Sequence, residues 1–233
     1  MAIDQLTLFG YWRSSSAWRV RIALELKGLD YAQTAVNLVA PPAEPAGPPG
    51  AQNTAEHRAR NPMAQVPVLT WREGGRTHRL TQSLAIIAWL EARFPDPPLI
   101  PVVGPEAHNR AAAAWERAEI VNSGVQPLQN LALLQALEVA GVDRMAWGRE
   151  VIARGLAALE VLATEGLHPA GAFLVGDTPT VADCCLVPQL YNARRFGVAM
   201  EAFPTLLAVE ARCEALAPFA AAHPDRQPDR PAG

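Results

Sequence analysis

The chain is predicted to join an α/β domain to an all-α helical one, and three observations carry that prediction. A strand, a helix and a second strand fit into the first 39 residues. A β-hairpin pattern and a further helix follow by Phe94, and beyond a proline-rich stretch every periodic segment is helical. That order permits a small sheet with helices on both faces, followed by a helix bundle. Half of the 233 residues are hydrophobic and 18% are charged, the composition of a globular chain with one large or two small domains.

Gln5 to Gly10 forms the first short strand. Ser14, Ser15 and Ser16 then supply helix start signals, and the helix runs through Lys27 to a stop at Gly28. Asp30 to Val39 carries Tyr31, Thr34 and Val36, a second strand that completes a right-handed parallel βαβ unit. Pro41 to Gly50 is too rich in proline and glycine for regular structure and is expected to be a mobile loop. After a short polar helical stretch, Val66 to Trp71 and Thr77 to Thr81 flank Arg72 to Arg76 in a hairpin pattern. Leu84, Ile87, Ala88 and Leu90 fall at helical spacing from Ser83 to Phe94, and Pro95 stops that helix. Residues 1–94 are therefore the first domain, 95–105 with five prolines a semi-rigid linker, and 106–233 the helical domain. Breaks at Gly124, Gly141, Gly166 to Gly176 and Gly197 divide that domain into four or five helices with a polar tail from His223. Thr180 with Asp183 is a capping-box pattern that fixes the start of a buried helix.

Composition excludes several classes of function. A net charge of −3 gives no electrostatic footprint for nucleic acid or an anionic membrane. The first ten residues lack the pattern of a signal peptide and no apolar run is long enough to span a bilayer, so a cytoplasmic protein is expected. Cys184, Cys185 and Cys213 make neither a disulfide framework nor a metal-ligand spacing and read as reduced core residues. The histidines have no metal-site partners, and no phosphate-loop pattern occurs. Lys27, the single lysine, is the only candidate for Schiff-base chemistry.

Three places carry candidate chemistry. At Ser14, Ser15 and Ser16, hydroxyls and helix-start N–H groups suit a phosphate, a carboxylate or a thiolate; plain capping by one serine is the other reading. In Asn61 to Val68, a cis proline would leave the backbone of the preceding residue able to pair with an extended peptide, against an ordinary strand-edge proline. Gln82 and Ser83 stand at another helix start, where they either bind a carboxylate or cap. Together the three would hold a short peptide across strand ends.

These residues also carry a family likeness. The serine stretch leading to Trp18-Arg19-Val20-Arg21-Ile22-Ala23-Leu24, Asn61-Pro62-Met63 with Gln65-Val66-Pro67, Gln82 to Ile87, Gln126 to Asn130, Ala182 to Gln189, and Arg226-Gln227-Pro228-Asp229 occur in the order seen in zeta-class glutathione transferases, and the chain resembles that class over nearly its whole length. The resemblance implies a thioredoxin-like N-terminal domain, a helical C-terminal domain, a homodimer, glutathione as cosubstrate, and cis-trans isomerisation of maleylacetoacetate to fumarylacetoacetate by reversible thiolate addition. It implies that Ser14, Ser15, Ser16, Ala17, Trp18 and Arg19 span the thiol-activating turn, with Ser15 the partner of the glutathione sulfur. Val66 would pair with the cysteinyl backbone, Gln82 and Ser83 with the γ-glutamyl carboxylate, and Gln52, Gln126 and Asn130 with further parts of glutathione. Arg13 and Arg195 match positions that bind the carboxylates of a dicarboxylate-like substrate. Ser16 stands where the class usually has cysteine, which removes thiol chemistry at that position. Related enzymes acting on maleylpyruvate carry an extra arginine in the stretch that here reads Gln129-Asn130-Leu131-Ala132. Maleylpyruvate isomerisation, conjugation of α-halo acids and a non-catalytic binding module are the competing readings.

Overall fold

Leu6 and Leu8 lie on one face of β1 (Asp4–Gly10) and are both buried, the period of two that makes a strand. In the computed structural model, which describes residues 3–39 and 50–231, the chain continues through α1 (Ser15–Leu26), β2 (Ala32–Ala35), a 3-10 turn (Ala51–Asn53), α2 (Ala55–Arg60), β3 (Val68–Glu73), β4 (Arg76–Thr81) and α3 (Ser83–Arg93). The expected loop from Pro41 lies outside the described residues except for Gly50. The helical part comprises α4 (Ala107–Glu119), a π-helical turn (Ile120–Val125), a 3-10 turn (Gln126–Gln129), α5 (Leu131–Val139), α6 (Arg144–Glu165), α7 (Val181–Arg195), α8 (Pro204–Glu214) and α9 (Ala217–Ala222), with short 3-10 turns at Met200–Ala202 and Pro224–Arg226.

The four strands are ordered β2-β1-β3-β4, with β1 parallel to β2 and antiparallel to β3, and β3 antiparallel to β4. Two strand expectations change. β2 covers only Ala32–Ala35, because it is an edge strand and β1 offers it partners only from Thr7 to Gly10 before turning toward α1. The hairpin turn is only Gly74 and Gly75, both at positive φ, so Arg72, Glu73 and Arg76 are strand residues.

The chain divides into two units. Residues up to Pro97 together with those from Ala217 onward form one, and Pro98–Leu216 form the other. The expected helical domain reached residue 233; its last segment belongs instead with the first unit. The cause is the burial of α9 against α1, where Phe219 and Ala222 are covered and Arg21 Nε donates to Ala222 O at 3.1 Å. Lys27 is also structural: its buried ammonium donates to Phe94 O at 2.6 Å and Pro97 O at 3.0 Å and pairs with Glu91 at 2.8 Å, so it is no Schiff-base nucleophile.

In the helical unit, Gly155 of α6 lets the π-helical turn approach closely, since a Cβ there would lie 2.1 Å from Val125 Cγ2. Thr180 and Asp183 form the expected capping box at the start of α7. Asp183 is fully buried and accepts from Leu174 N at 2.8 Å, Thr180 N at 2.8 Å and Thr180 Oγ1 at 3.0 Å. Burial pushes its pKa up to about 6 against the downward pull of those bonds. The three cysteines are unpaired by disulfides and buried, and burial pushes the Cys213 thiol up.

Removing the Asp183 carboxylate in Asp183→Ala orphans two buried N–H groups and should cost on the order of 3 kcal/mol in urea denaturation. The raised pKa also fixes a pH dependence. The folded state holds a proton that the unfolded state releases, so the Asp183 contribution is full below about pH 4 and lost as pH rises through about 6. The stability difference between the wild-type chain and Asp183→Asn should fall across that window by at most about 1.4 kcal/mol per pH unit; a flat difference would show the carboxylate ionised throughout.

Candidate active site

The connection from β1 to α1 is a tight turn closed by Ser14 N donating to Tyr11 O at 2.9 Å. Ser14 is the N-cap, with extended backbone and an Oγ that accepts from Ala17 N at 3.2 Å. Capping therefore belongs to Ser14. Ser15 and Ser16 are the first two helical residues, half-buried, at the positive end of the helix where backbone N–H groups have no intrahelical acceptor. No acidic side chain occupies the first turn of α1, so none competes there with an anionic ligand. Ala17, Trp18 and Arg19 follow as buried residues, and half-buried Arg13 holds its guanidinium 5.1 Å from the centre of the Trp12 ring.

A second helix start is tied to the first. Gln82 precedes α3 at φ 68°, ψ 115°, exposed and without a capping bond from its side chain. A non-glycine residue held there costs on the order of 1–3 kcal/mol, a strain that concentrates at ligand sites. Ser83 is the first residue of α3 and is buried; its Oγ accepts from Arg19 Nη1 at 3.2 Å. The first turn of α3 also lacks an acidic residue. The structure thus joins Arg19 to Ser83, two of the residues expected at the site.

The Val66–Pro67 peptide is cis. Just before it, Gln65 O accepts from His57 Nε2 at 2.9 Å and from Asn61 Nδ2 at 2.8 Å, while Asn61 Oδ1 accepts from Met63 N at 3.0 Å. His57 and Asn61 therefore fix the backbone that presents Val66. Gln52 is half-buried in the 3-10 turn whose Ala51 N donates to Asn37 O at 2.9 Å.

The C-terminal segment reaches the serine turn. Asp229 Oδ2 accepts from Trp12 N at 2.8 Å, and Arg21 Nη2 donates to Trp12 O at 2.8 Å. Gln227 bonds Gln33 at 3.0 Å and the carbonyls of Ala221 and His223, and the His223 ring meets Trp18 edge-on at 5.2 Å. Burial draws the Arg21 pKa down to about 10, leaving the guanidinium charged at neutral pH, and raises the Asp229 carboxyl above the usual carboxylate range.

The other expected residues lie in the helical unit. Gln126 opens the 3-10 turn after the π-helical turn and is half-buried. Asn130 caps α5, its Oδ1 accepting from Ala132 N at 3.0 Å. Arg195 ends α7, exposed, with Nη1 on Asn192 Oδ1 at 3.1 Å, whereas its neighbour Arg194 is committed to both carboxylate oxygens of Glu210. Among the described residues no three His, Cys, Asp or Glu side chains gather into a metal-binding group, and no helix is long and apolar enough to cross a membrane.

Known proteins show the same plan. The family models for the glutathione S-transferase N-terminal and C-terminal domains match residues 13–93 and 110–224. The chain belongs to the glutathione S-transferase family. It falls in the zeta class: it is 42% identical to the probable maleylacetoacetate isomerase 2 of Drosophila melanogaster, over 97% of this chain and 91% of that one. The maleylacetoacetate isomerase of Anaeromyxobacter dehalogenans, crystallised with glutathione in its active site, is 53% identical with a TM-score of 0.85 and 99% of each chain covered. A further structure of that enzyme holds dicarboxyethyl glutathione and citrate. A bacterial maleyl pyruvate isomerase of the zeta class is 36% identical, with a TM-score of 0.83, over 96% of this chain and 99% of that one.

The fold of this transferase is therefore a thioredoxin-like N-terminal domain followed by a helical one. Of the two readings the sequence leaves open for the serines, capping holds at Ser14, while Asn130 also caps a helix and Ser83 accepts from Arg19, neither of which the sequence shows. The sequence reading gave no role to His57, Asn61 or Arg21. The signal for His57 and Asn61 was their nearness to the Gln65-Val66-Pro67 motif, but nothing local points from Arg21 to Trp12. Because Ser14 Oγ is the cap, Ser14→Ala should cost about 1 kcal/mol of stability in urea denaturation. No loss would mean that the hydroxyl is not committed to Ala17 N.

Proposed function

We propose that this transferase is a glutathione-dependent cis-trans isomerase that converts maleylacetoacetate to fumarylacetoacetate. The observation that carries the reading is the pair of helix starts in the N-terminal unit, α1 and α3, both free of acidic residues in their first turns and tied together by Arg19 and Ser83. One suits a thiolate and the other a carboxylate, and those are the two anionic ends of a bound glutathione. The extended Val66 backbone beside them suits a peptide. Full-length likeness to maleylacetoacetate isomerases supports the substrate.

We assign most of the glutathione contacts to the N-terminal unit, and the carboxylates of the acidic substrate to Arg13 and Arg195. Bound glutathione supplies a thiolate that adds reversibly to the cis double bond, so that the bond can rotate before the trans alkene is released. Ser15, with the amides of Ser15 and Ser16, holds that sulfur ionised. A free thiol has a pKa near ~8.5. The helix end contributes about 1 kcal/mol and a hydroxyl donor to a charged acceptor about 2 kcal/mol. At about 1.4 kcal/mol per unit, together they bring the thiol near or below neutrality. Ser14 fixes the turn, Ala17, Trp18 and Arg19 support it from the core, and Gln82 and Ser83 take the γ-glutamyl carboxylate. Gln52, Gln126 and Asn130 are assigned to the remainder of glutathione, the last through its amide nitrogen since its oxygen caps α5. Arg13 and Arg195 are assigned to the carboxylates of the substrate. The same reading carries a cytoplasmic protein and a homodimer, and sedimentation of the purified protein tests the dimer.

Purified protein should turn over maleylacetoacetate rapidly with glutathione, not without it, and faster than maleylpyruvate under the same conditions. A preference for maleylpyruvate would reassign the substrate, and failure with both acids would leave conjugation of halo acids or simple binding. Ser15→Ala should raise the thiol pKa of bound glutathione by about one to two units, moving the pH profile of kcat/KM upward; an unmoved profile removes Ser15 from the sulfur. Arg195→Ala should raise KM for the acid about 10- to 100-fold with glutathione affinity nearly unchanged. Equal losses in both would remove the carboxylate role.

A further inference from the structure

We infer that Asp229 is a positioning residue for the thiol-activating turn, and that the C-terminal segment from Ala217 is a built part of the glutathione site. The inference rests on the glutathione reading above and goes beyond the residues that touch glutathione. Its basis is the treatment of a single residue, Trp12. The Trp12 N–H is held by Asp229 Oδ2 and the Trp12 carbonyl by Arg21 Nη2, each at 2.8 Å. Both backbone groups of that residue are thus gripped by oppositely charged, buried side chains. Trp12 lies three residues before Ser15, and the Tyr11 to Ser14 hydrogen bond closes the turn between them. Fixing Trp12 therefore fixes the direction in which the chain enters α1.

The segment that delivers Asp229 is itself held at several points. Gln227 is buried, donates to Ala221 O and His223 O, and accepts from Gln33 on β2. His223 packs edge-on against Trp18, and Arg21 reaches Ala222 O as well as Trp12 O. Displacing a catalytic group by about 1 Å costs up to about 100-fold in rate, so a backbone clamp at this place acts on function as well as on folding.

The test uses the full-length protein and the thiolate absorbance of bound glutathione as a function of pH. In Asp229→Ala the thiol pKa should lie about one unit above that of Asp229→Asn, which leaves the same Arg21 charge unmatched, KM for glutathione should rise several-fold over the wild-type value, and KM for the diketo acid should stay unchanged. Asp229→Asn, which keeps an acceptor for Trp12 N–H, should recover most of the loss. If Asp229→Ala keeps the thiol pKa of Asp229→Asn and the wild-type glutathione KM while only its thermal stability falls, Asp229 is a fold staple and the inference is overturned. A measurement on the wild-type chain stands independently of any variant. Because coupling is reciprocal, glutathione must slow hydrogen exchange at the Trp12 amide. Exchange at Trp12 that glutathione leaves unchanged overturns the inference alone, whereas wild-type protein that forms no bound thiolate overturns the glutathione reading and this inference with it.

Discussion

Burying a guanidinium costs several kcal/mol unless its donors meet oxygen atoms, and α1 buries two of them. Arg19 and Arg21 are almost completely covered. Two residues apart on a helix, they project about 200° from one another, so their partners lie on different sides of α1. Arg19 reaches Ser83 at the start of α3; Arg21 reaches Trp12 O and Ala222 O. Through these bonds the start of α3, the serine turn and the C-terminal segment are tied to one helix. The segments that build the candidate site are thus held to α1 by directional polar bonds, which non-directional apolar contacts do not supply. The helical unit uses the same device once more: Arg117, buried in α4, donates to the carbonyls of Leu174, Leu162 and His168 and so holds the loop between α6 and α7.

What could be read from the sequence follows the distance over which each element is decided. β1, α1, α3, the hairpin and the Thr180 to Asp183 box are set by neighbours a few residues away, and periodicity or capping chemistry shows them. The length of β2 depends on where β1 leaves the sheet, which no pattern within residues 30–39 records. The placement of α9 depends on Arg21, about two hundred positions earlier, and the tail read as part of the helical domain for that reason.

The site divides in the same way. Ser14 to Arg19, Val66, Gln82 and Ser83 lie in short motifs and were found as motifs. Whether a serine caps or faces a ligand is decided by one torsion: Ser14 is extended and Ser15 is helical, so the first serves α1 and the second sits at its open end. Likewise Arg194 and Arg195 are indistinguishable in sequence, and only the packing of α8 beside α7 commits the first of them to Glu210. His57, Asn61, Arg21 and Asp229 do their work on backbone atoms, which any residue carries, so their partners leave no trace in sequence.

The use of an acidic residue so close to a thiolate site needs an electrostatic account. A lone carboxylate near a thiolate opposes its formation, because like charges in a protein interior interact more strongly than in water. Asp229 is matched by Arg21, which bonds the other side of the same residue, so Trp12 is held between charges of opposite sign. Their charges are opposite, and their hydrogen bonds add at Trp12. On the glutathione reading proposed above, a neutral pair of side chains would hold the turn with weaker bonds and a single charged one would bias the thiol, whereas the Asp229 and Arg21 pair would position the turn and leave the thiol to the serine turn and the start of α1.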